Sequence, residues 1–470
     1  MAVLIKDGTL LTDSDTFAAD VLIEDEKIVR IGPGLEAGSA QVIEAAGKLI
    51  LPGGVDPHTH FDLPMFNTVS SDDHYTGHKA AAFGGTTTVM DFIVHEKEGF
   101  RRSVDLWMEK AAKAAIDYSF HMNVTHFDED VAKEIPSLAG MGITTLKVFT
   151  AYNGRLRLDD GSIFKVLQIA RDNGMLVMAH CENGDVIDTL VAEALGAGHM
   201  TPEWHARTRP AWGAVEATLR MAAMAEQAGA PAYIVHMNAA GEVDMLRYAR
   251  KRGVKVMGET CPQYLFFSEE DLRRPDGSKW ICSPPMRTEK DNVRLWEGLS
   301  GGILQTIGTD HCPFYFDGTR PILYEGREIA IPGKELGKSD FTKIPNGLPG
   351  VGDRLPILWT YGVGAGKITA NQFVAYTSTN PARIFGLYPR KGALLPGSDA
   401  DIVVWDPEKR VKYGVAHAQH RTDYNLYEGW ELVGYPEQVF LRGRLIVDHE
   451  NWLGRAGGGR FLESAEGAIL

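Results

Sequence analysis

The stretch ILPGGVDPHTH, residues 50–60, is a short apolar run ending in two histidines one residue apart. Side chains alternate across a strand, so a His-x-His pair at a strand end points both imidazoles to one face. We read 50–58 as a strand whose C-terminal edge carries His58 and His60. Seven further short runs follow: TTTVMDF (86–92), FHMNVTH (120–126), TTLKVFT (144–150), LVMAHCE (176–182), AYIVHM (232–237), VKVMGETC (254–261) and LQTIGTDH (304–311). They lack polar alternation, as expected for parallel strands buried on both faces. Amphipathic stretches such as SVDLWMEKAAKAA and EVDMLRYARKR separate most of them. About eight such strand–helix units predict an α/β fold, a (β/α)8 TIM-type barrel. A doubly wound open sheet would need a Gly-rich phosphate loop after its first strand, and none follows. YGVGAGK at 361–367 resembles a P-loop only superficially, because Tyr361 stands where its first glycine is required.

Outside the barrel the texture is β-rich. VLIKDGTLL, ADVLIEDEKIVRIG and AQVIEAAGKLI lie in the first fifty residues, and DADIVVWDP (399–407) and QVFLRGRLIVDHENW (438–452) return late. This predicts one smaller β domain built from both termini, 1–54 and 388–450, around a catalytic barrel of 55–387. The tail 451–470 is too short and Gly-rich to fold alone, and is expected to lie across a neighbouring subunit. Residues 312–350 read as a long loop that covers a site.

Composition narrows the partners. With 48 Lys+Arg against 62 Asp+Glu the net charge is −14, which argues against nucleic acid or an anionic membrane surface. The apolar run near residue 1 is too short for a secretory signal, and no run reaches membrane-spanning length. A cytoplasmic location is expected, and the Asn123-Val124-Thr125 sequon then carries little weight. Cys181, Cys261, Cys282 and Cys312 lie far apart with no CxxC pair. They are read as small buried hydrophobes in a reducing compartment.

Metal-type residues fall at the C-terminal ends of the predicted strands, where barrel active sites sit. His58 and His60 end strand one, Lys147 lies in strand four, His180 ends strand five, His236 ends strand six, and Asp310 ends strand eight. Imidazole and carboxylate donors suit zinc and other borderline divalent ions. A single buried histidine is more often a satisfied core residue; it is the joint placement of four, with an aspartate, that carries the reading. Of the other histidines, His126 at the end of strand three is the one to watch. Lys147 is the odd member, because an ammonium repels a metal. Burial and nearby cations depress a lysine pKa, and a neutral amine can add carbon dioxide to form a carbamate able to bridge two metals. The plain alternative is a lysine salt-bridged inside the barrel.

Over essentially its whole length the sequence resembles the dihydropyrimidinase/hydantoinase branch of the cyclic amidohydrolases. The resemblance rests on PGGVDPHTHFDLP (52–64), FGGTTTVMDF (83–92), LKVFTAYNG (146–154), MAHCENGD (178–185), GETCPQYL (258–265), CSPPMR (282–287), GTDHCPF (308–314), IPNGLPGVGDR (344–354) and DYNLYEG (423–429). It implies a (β/α)8 barrel plus a β-sandwich from both termini, with two zinc ions bridged by a carboxylated lysine and a hydroxide. His58, His60 and Asp310 match the ligands of the first metal, His180 and His236 those of the second, and Lys147 the bridge. Tyr152, Ser283 and Asn346 match residues that hold the substrate's amide and ureide groups. The resemblance further implies a homotetramer acting on a small cyclic amide. Two departures stand out: HMNAAGE (236–242) replaces a more usual Ser-Cys pair, and Gly352 stands where an acidic residue is common.

The expected chemistry is hydrolysis of a ring amide. The metals lower the pKa of a shared water and polarise the scissile carbonyl. Asp310 takes the proton and passes it to the leaving nitrogen, while a metal and the Tyr152 hydroxyl stabilise the oxyanion. Enzymes binding dihydroorotate resemble one another in placing Arg two residues after His-x-His. Asp62 holds that position here and would repel the anion; allantoin is less firmly excluded. A non-catalytic scaffold of the same fold is disfavoured because every ligand position is filled. Loops at 62–70, 92–98 and 150–158 are expected to gate the ring substituent through Leu63, Met65, Phe66, Ile93, Phe149 and Leu156, making an apolar mouth.

Overall fold

The computed structural model describes residues 2–65 and 68–470. Eight parallel strands follow one another around a single sheet: β1 (Gly54–Thr59), β2 (Thr86–Ile93), β3 (Asp117–Asn123), β4 (Thr145–Phe149), β5 (Leu176–His180), β6 (Ala232–Ile234), β7 (Val256–Thr260) and β8 (Thr306–Ile307). A parallel bridge between Thr59 and His311 brings the two edges together, with the His60 N–H donating to the His311 carbonyl at 2.8 Å. Every residue of β1, β2, β3, β5, β6, β7 and β8 is buried, which is why the sequence shows apolar runs without alternation. Helices on the outside begin at side-chain caps: Asp128 before Glu129–Glu134, Asp159 before Asp160–Asp172, and Asn183 before Gly184–Gly196. Tyr233, Met178, Met257 and Phe385 fill the barrel interior.

Four strand predictions need correction. Strands six and eight are shorter than the apolar runs, ending at Ile234 and Ile307, so His236 and Asp310 follow their strands and do not end them. The run 50–58 is two strands: Leu49–Pro52 belongs to a different sheet, and only Gly54–Thr59 enters the barrel. The chain turns at Gly53, where a Cβ would sit 2.1 Å from the Thr87 hydroxyl. Strand three runs from Asp117 to Asn123, not to 126. Its start was hidden because Asp117 is a buried acid, paired with Lys391 at 2.6 Å and with Arg442.

The second sheet is mixed, has nine strands and draws on both chain ends. Val3–Leu11, Thr16–Glu24, Lys27–Gly32, Gln41–Glu44 and Leu49–Pro52 come first, and Ile402–Lys412, Glu431–Leu441, Arg444–Asp448 and Asn451–Trp452 complete it. The join is antiparallel pairing of Leu51 with Val403. The late tail is anchored on its own barrel. Leu462 is fully buried, its N–H donates to the Tyr118 carbonyl at 2.7 Å, and the Ala468 N–H donates to Arg383 at 2.8 Å.

The segment after β8, expected as loop, contains an antiparallel hairpin of Thr319–Tyr324 and Arg327–Pro332. Ile322 and Ile331 pack there on Val69, behind the short ribbon that carries Met65. Among the described residues no helix is long and apolar enough to cross a membrane.

Candidate active site

A cavity of about 330 Å³ opens at the C-terminal ends of the barrel strands. His58, His60, Lys147, His180, His236 and Asp310 all line it, and so do Tyr152, Ser283 and Asn346. Residues separated by as much as 288 positions meet because each lies in, or on a segment that follows, a strand of one ring. Three of them adopt left-handed backbone despite carrying side chains: His236 (φ 38°), Asp310 (φ 53°) and Tyr152 (φ 69°). Such strain persists where surrounding contacts over-determine it, and it clusters at functional sites. For His236 the restraint is visible, since its N–H donates to Glu259 Oε1 at 3.1 Å.

Within the cavity the donors fall into two groups. Asp310 Oδ1 lies 3.2 Å from both His58 Nε2 and His60 Nε2, and one donor atom from each of the three residues lies within 4.8 Å of the others. His58 Nε2 is buried with no hydrogen-bond partner, as a nitrogen reserved for a cation would be. The second group is His180 and His236, whose Nδ1 and Nε2 stand 3.0 Å apart. Lys147 lines the same cavity, buried, its amine 4.8 Å from the Phe92 ring centre and 5.4 Å from that of Phe149. These nitrogen and carboxylate donors fit a divalent ion.

The electrostatics follow from burial and carboxylates. Burial opposes charging His58, yet Glu259 and Asp310 outweigh it and push its pKa up to about 9. That proton occupies the place of positive charge that a metal would supply. Burial pushes His60 down to about 4, with Asp310 only partly compensating. Burial lowers Lys147 to about 8, Asp310 and Glu259 pulling the other way. Burial works to raise Asp310, but His58 and His60 hold it well below the usual carboxylate range. Burial raises the Tyr152 hydroxyl, which keeps its proton.

Sequence reasoning missed Glu259. Its Oε1 accepts from His58 Nδ1 at 2.6 Å, and its Oε2 accepts from the Tyr233 hydroxyl at 2.9 Å. An acid inside the predicted strand VKVMGETC was the available signal, because a buried carboxylate must have partners. Of the mouth residues, Leu63, Met65, Phe149 and Leu156 line the cavity. Ile93 does not: it faces the outer core, and the next residue, Val94, faces the cavity, as period two dictates. Phe66 lies outside the described residues. The mouth is also not purely apolar, since Arg155 lines it.

Asp62 does not oppose an anion in the cavity. Its carboxylate turns away to Lys113 at 3.3 Å and accepts from the His74 N–H; what position 62 lacks is the arginine. His126 stacks on His95 at 4.0 Å, beside Thr125 of the cavity wall but not in it. All four cysteines are free and buried, and Cys312 forms part of the wall. At the departure Gly352, a Cβ would meet the Ala418 carbonyl at 2.7 Å, so an acidic side chain has no room there.

Comparison with known proteins agrees with this geometry. The chain is 44% identical to a D-hydantoinase of Geobacillus stearothermophilus, covering 100% of this chain and 98% of that one. It is 42% identical to a D-hydantoinase of Streptomyces coelicolor, covering 98% of each. The crystal structure of a dihydropyrimidinase from Brevibacillus agri superposes with a TM-score of 0.95 at 45% identity, over 100% of both chains. The model of the amidohydrolase family matches residues 49–446, a span that takes in every cavity residue described above. This chain therefore belongs to the amidohydrolase family, whose members are divalent-metal hydrolases.

Proposed function

We propose that this protein opens the cyclic amide bond of dihydropyrimidines and 5-substituted hydantoins, giving N-carbamoyl amino acids. The observation that carries this reading is the convergence of two donor groups, a buried lysine and a Tyr/Ser/Asn set on one cavity, in a chain resembling D-hydantoinases from end to end. His58, His60 and Asp310 would hold one Zn²⁺ and His180 and His236 another, with Lys147 as the carboxylated bridge. Such a pair supplies Lewis acidity, lowering the pKa of water and polarising the scissile carbonyl.

The protein's own groups do the rest. A Lys147 pKa near 8 leaves neutral amine available for carboxylation at ordinary pH. Asp310, held as the carboxylate, takes the proton of the attacking water and delivers it to the leaving ring nitrogen. Tyr152 keeps its hydroxyl proton and donates a hydrogen bond to the developing oxyanion. Asn346 Nδ2 donates to Ser283 Oγ at 3.1 Å. That leaves the Ser283 O–H and the Asn346 amide oxygen as one donor and one acceptor for a neutral ureide. A homotetramer and a cytoplasmic location, expected from the resemblance and the composition, belong to the same proposal; light scattering returning a monomer would contradict the tetramer.

The test is hydrolysis of dihydrouracil, hydantoin, a 5-aryl hydantoin and allantoin by metal-loaded protein, followed by product analysis. Ring opening of the first three supports the reading. Turnover confined to allantoin would replace it with a ureide hydrolase, and no turnover of any would favour a scaffold.

A further inference from the structure

Lys334 is fully buried, and among the described residues its charge meets no carboxylate, only the thiols of Cys282 and Cys312. Its ammonium donates to three backbone carbonyls: Gly347 at 2.7 Å, Ile281 at 2.8 Å and Lys279 at 3.3 Å. Three acceptors match the three N–H donors of an ammonium, whereas a neutral amine has two. Burial pushes its pKa down to about 7, the desolvation cost of charging an amine at this position. A leucine or methionine would fill the same space without that cost, which leaves the geometry of the three bonds as the reason for a lysine.

The segments joined in this way carry the polar end of the cavity. Ile281 lies two residues before Ser283, and Gly347 follows Asn346. Both segments run outside helix and strand, so no ladder sets their separation. A single backbone bond spans them, Gly347 N–H to the Ile281 carbonyl at 3.1 Å, beside the Asn346–Ser283 side-chain bond. Lys334 itself does not line the cavity.

We propose that Lys334 is a positioning residue for substrate binding: its ammonium staples the Ser283 segment to the Asn346 segment and so fixes the spacing of the donor and acceptor that meet the ring. This rests on the function proposed above, which assigns Ser283 and Asn346 to the substrate.

Lys334→Met removes the ammonium and keeps the stem. With hydantoin and dihydrouracil as substrates, KM should rise about tenfold while kcat changes less than about twofold, the pattern of lost uniform binding. Metal content should stay at the wild-type level. In a chain already carrying Ser283→Ala and Asn346→Ala, the same substitution should raise KM less than about twofold, because coupled effects do not add. An unchanged KM in the single variant, a loss of kcat that tracks metal loss, or the full effect in the triple variant would overturn the positioning role. Should Lys334→Met not fold, Lys334→Gln, which keeps two donors, is read the same way. Failure of both to fold would assign Lys334 to stability and overturn the proposal. A wild-type enzyme inactive on both substrates would instead overturn the reading on which it rests.

Discussion

Glu259 Oε1 lies 2.6 Å from His58 Nδ1, so a carboxylate on β7 decides which nitrogen of a β1 histidine faces the cavity. With Nδ1–H committed to Glu259, Nε2 is the nitrogen turned toward Asp310. Replacing Glu259 with Gln keeps the volume but removes the charge that sets this tautomer. Loss of such an outer partner typically costs about 10–100-fold in metal affinity. Metal retained after dialysis against a weak chelator should fall accordingly, with the melting temperature little changed. Full retention and full turnover would show that His58 is oriented by something else.

Lys147→Ala should lose bound metal and turnover together, because no other carboxylate among the cavity-lining residues is placed to replace a carbamate. Short carboxylic acids added to the variant should restore part of the activity. Metal analysis of wild-type protein prepared without chelator should give about two equivalents. A single equivalent with an unmodified lysine by mass spectrometry would sink the bridged arrangement.

Asp310→Asn should keep the fold and lose turnover by about 10²–10⁴-fold, the scale of removing one general base. An amide cannot accept the proton of water. Near-normal kcat at full metal occupancy would require a different base.

Leu156→Ala and Met65→Ala should shift the relative rates of dihydrouracil and a bulky 5-aryl hydantoin, since both side chains line the mouth. Changes of this size in an apolar pocket are worth about 1–3 kcal/mol. Equal changes for small and bulky substrates would assign both residues to packing.

Below the barrel, Lys391 is buried against Asp117 at 2.6 Å, Asp401 at 2.7 Å and Asp399 at 3.1 Å. Lys391→Met would leave these acids without their central cation and should destabilise by about 3–5 kcal/mol. Burial works to raise Asp399, but Lys391, helped by Lys27 and Arg390, holds its carboxyl at about 2. A pKa below the unfolded value of about 3.9 means stabilisation fully present above that value and lost as pH falls through about 2. Denaturant midpoints between pH 5 and 2 should show this loss in the wild type and a smaller one in Lys391→Met. Parallel curves would place the acid sensitivity elsewhere.

The ring of strands and its donor set were legible because both are written as local patterns. Buried parallel strands read as short apolar runs, and His58, His60, His180, His236 and Asp310 stand at their ends or just beyond. What escaped depends on distances between strands. Glu259 and Lys334 matter through partners 201 positions away and 13 to 55 positions away respectively, and no spacing along the chain announces either. Ile93 and Val94 were exchanged because the register at a strand's last residue is the least determined. The division of 50–58 at Gly53 was invisible because it depends on which sheet each half pairs with.

Pairing of Leu51 with Val403 also sets a timetable. At about 5–20 residues per second of synthesis, Val403 emerges roughly 20–70 s after Leu51. Throughout that interval the outer edge of Leu49–Pro52 has no strand to pair with, although the first barrel strand begins two residues later. An open edge of this kind is a template for pairing with another chain. The last sheet to close is therefore the one started first, and the nascent protein is most exposed to misassembly just before its late strands arrive.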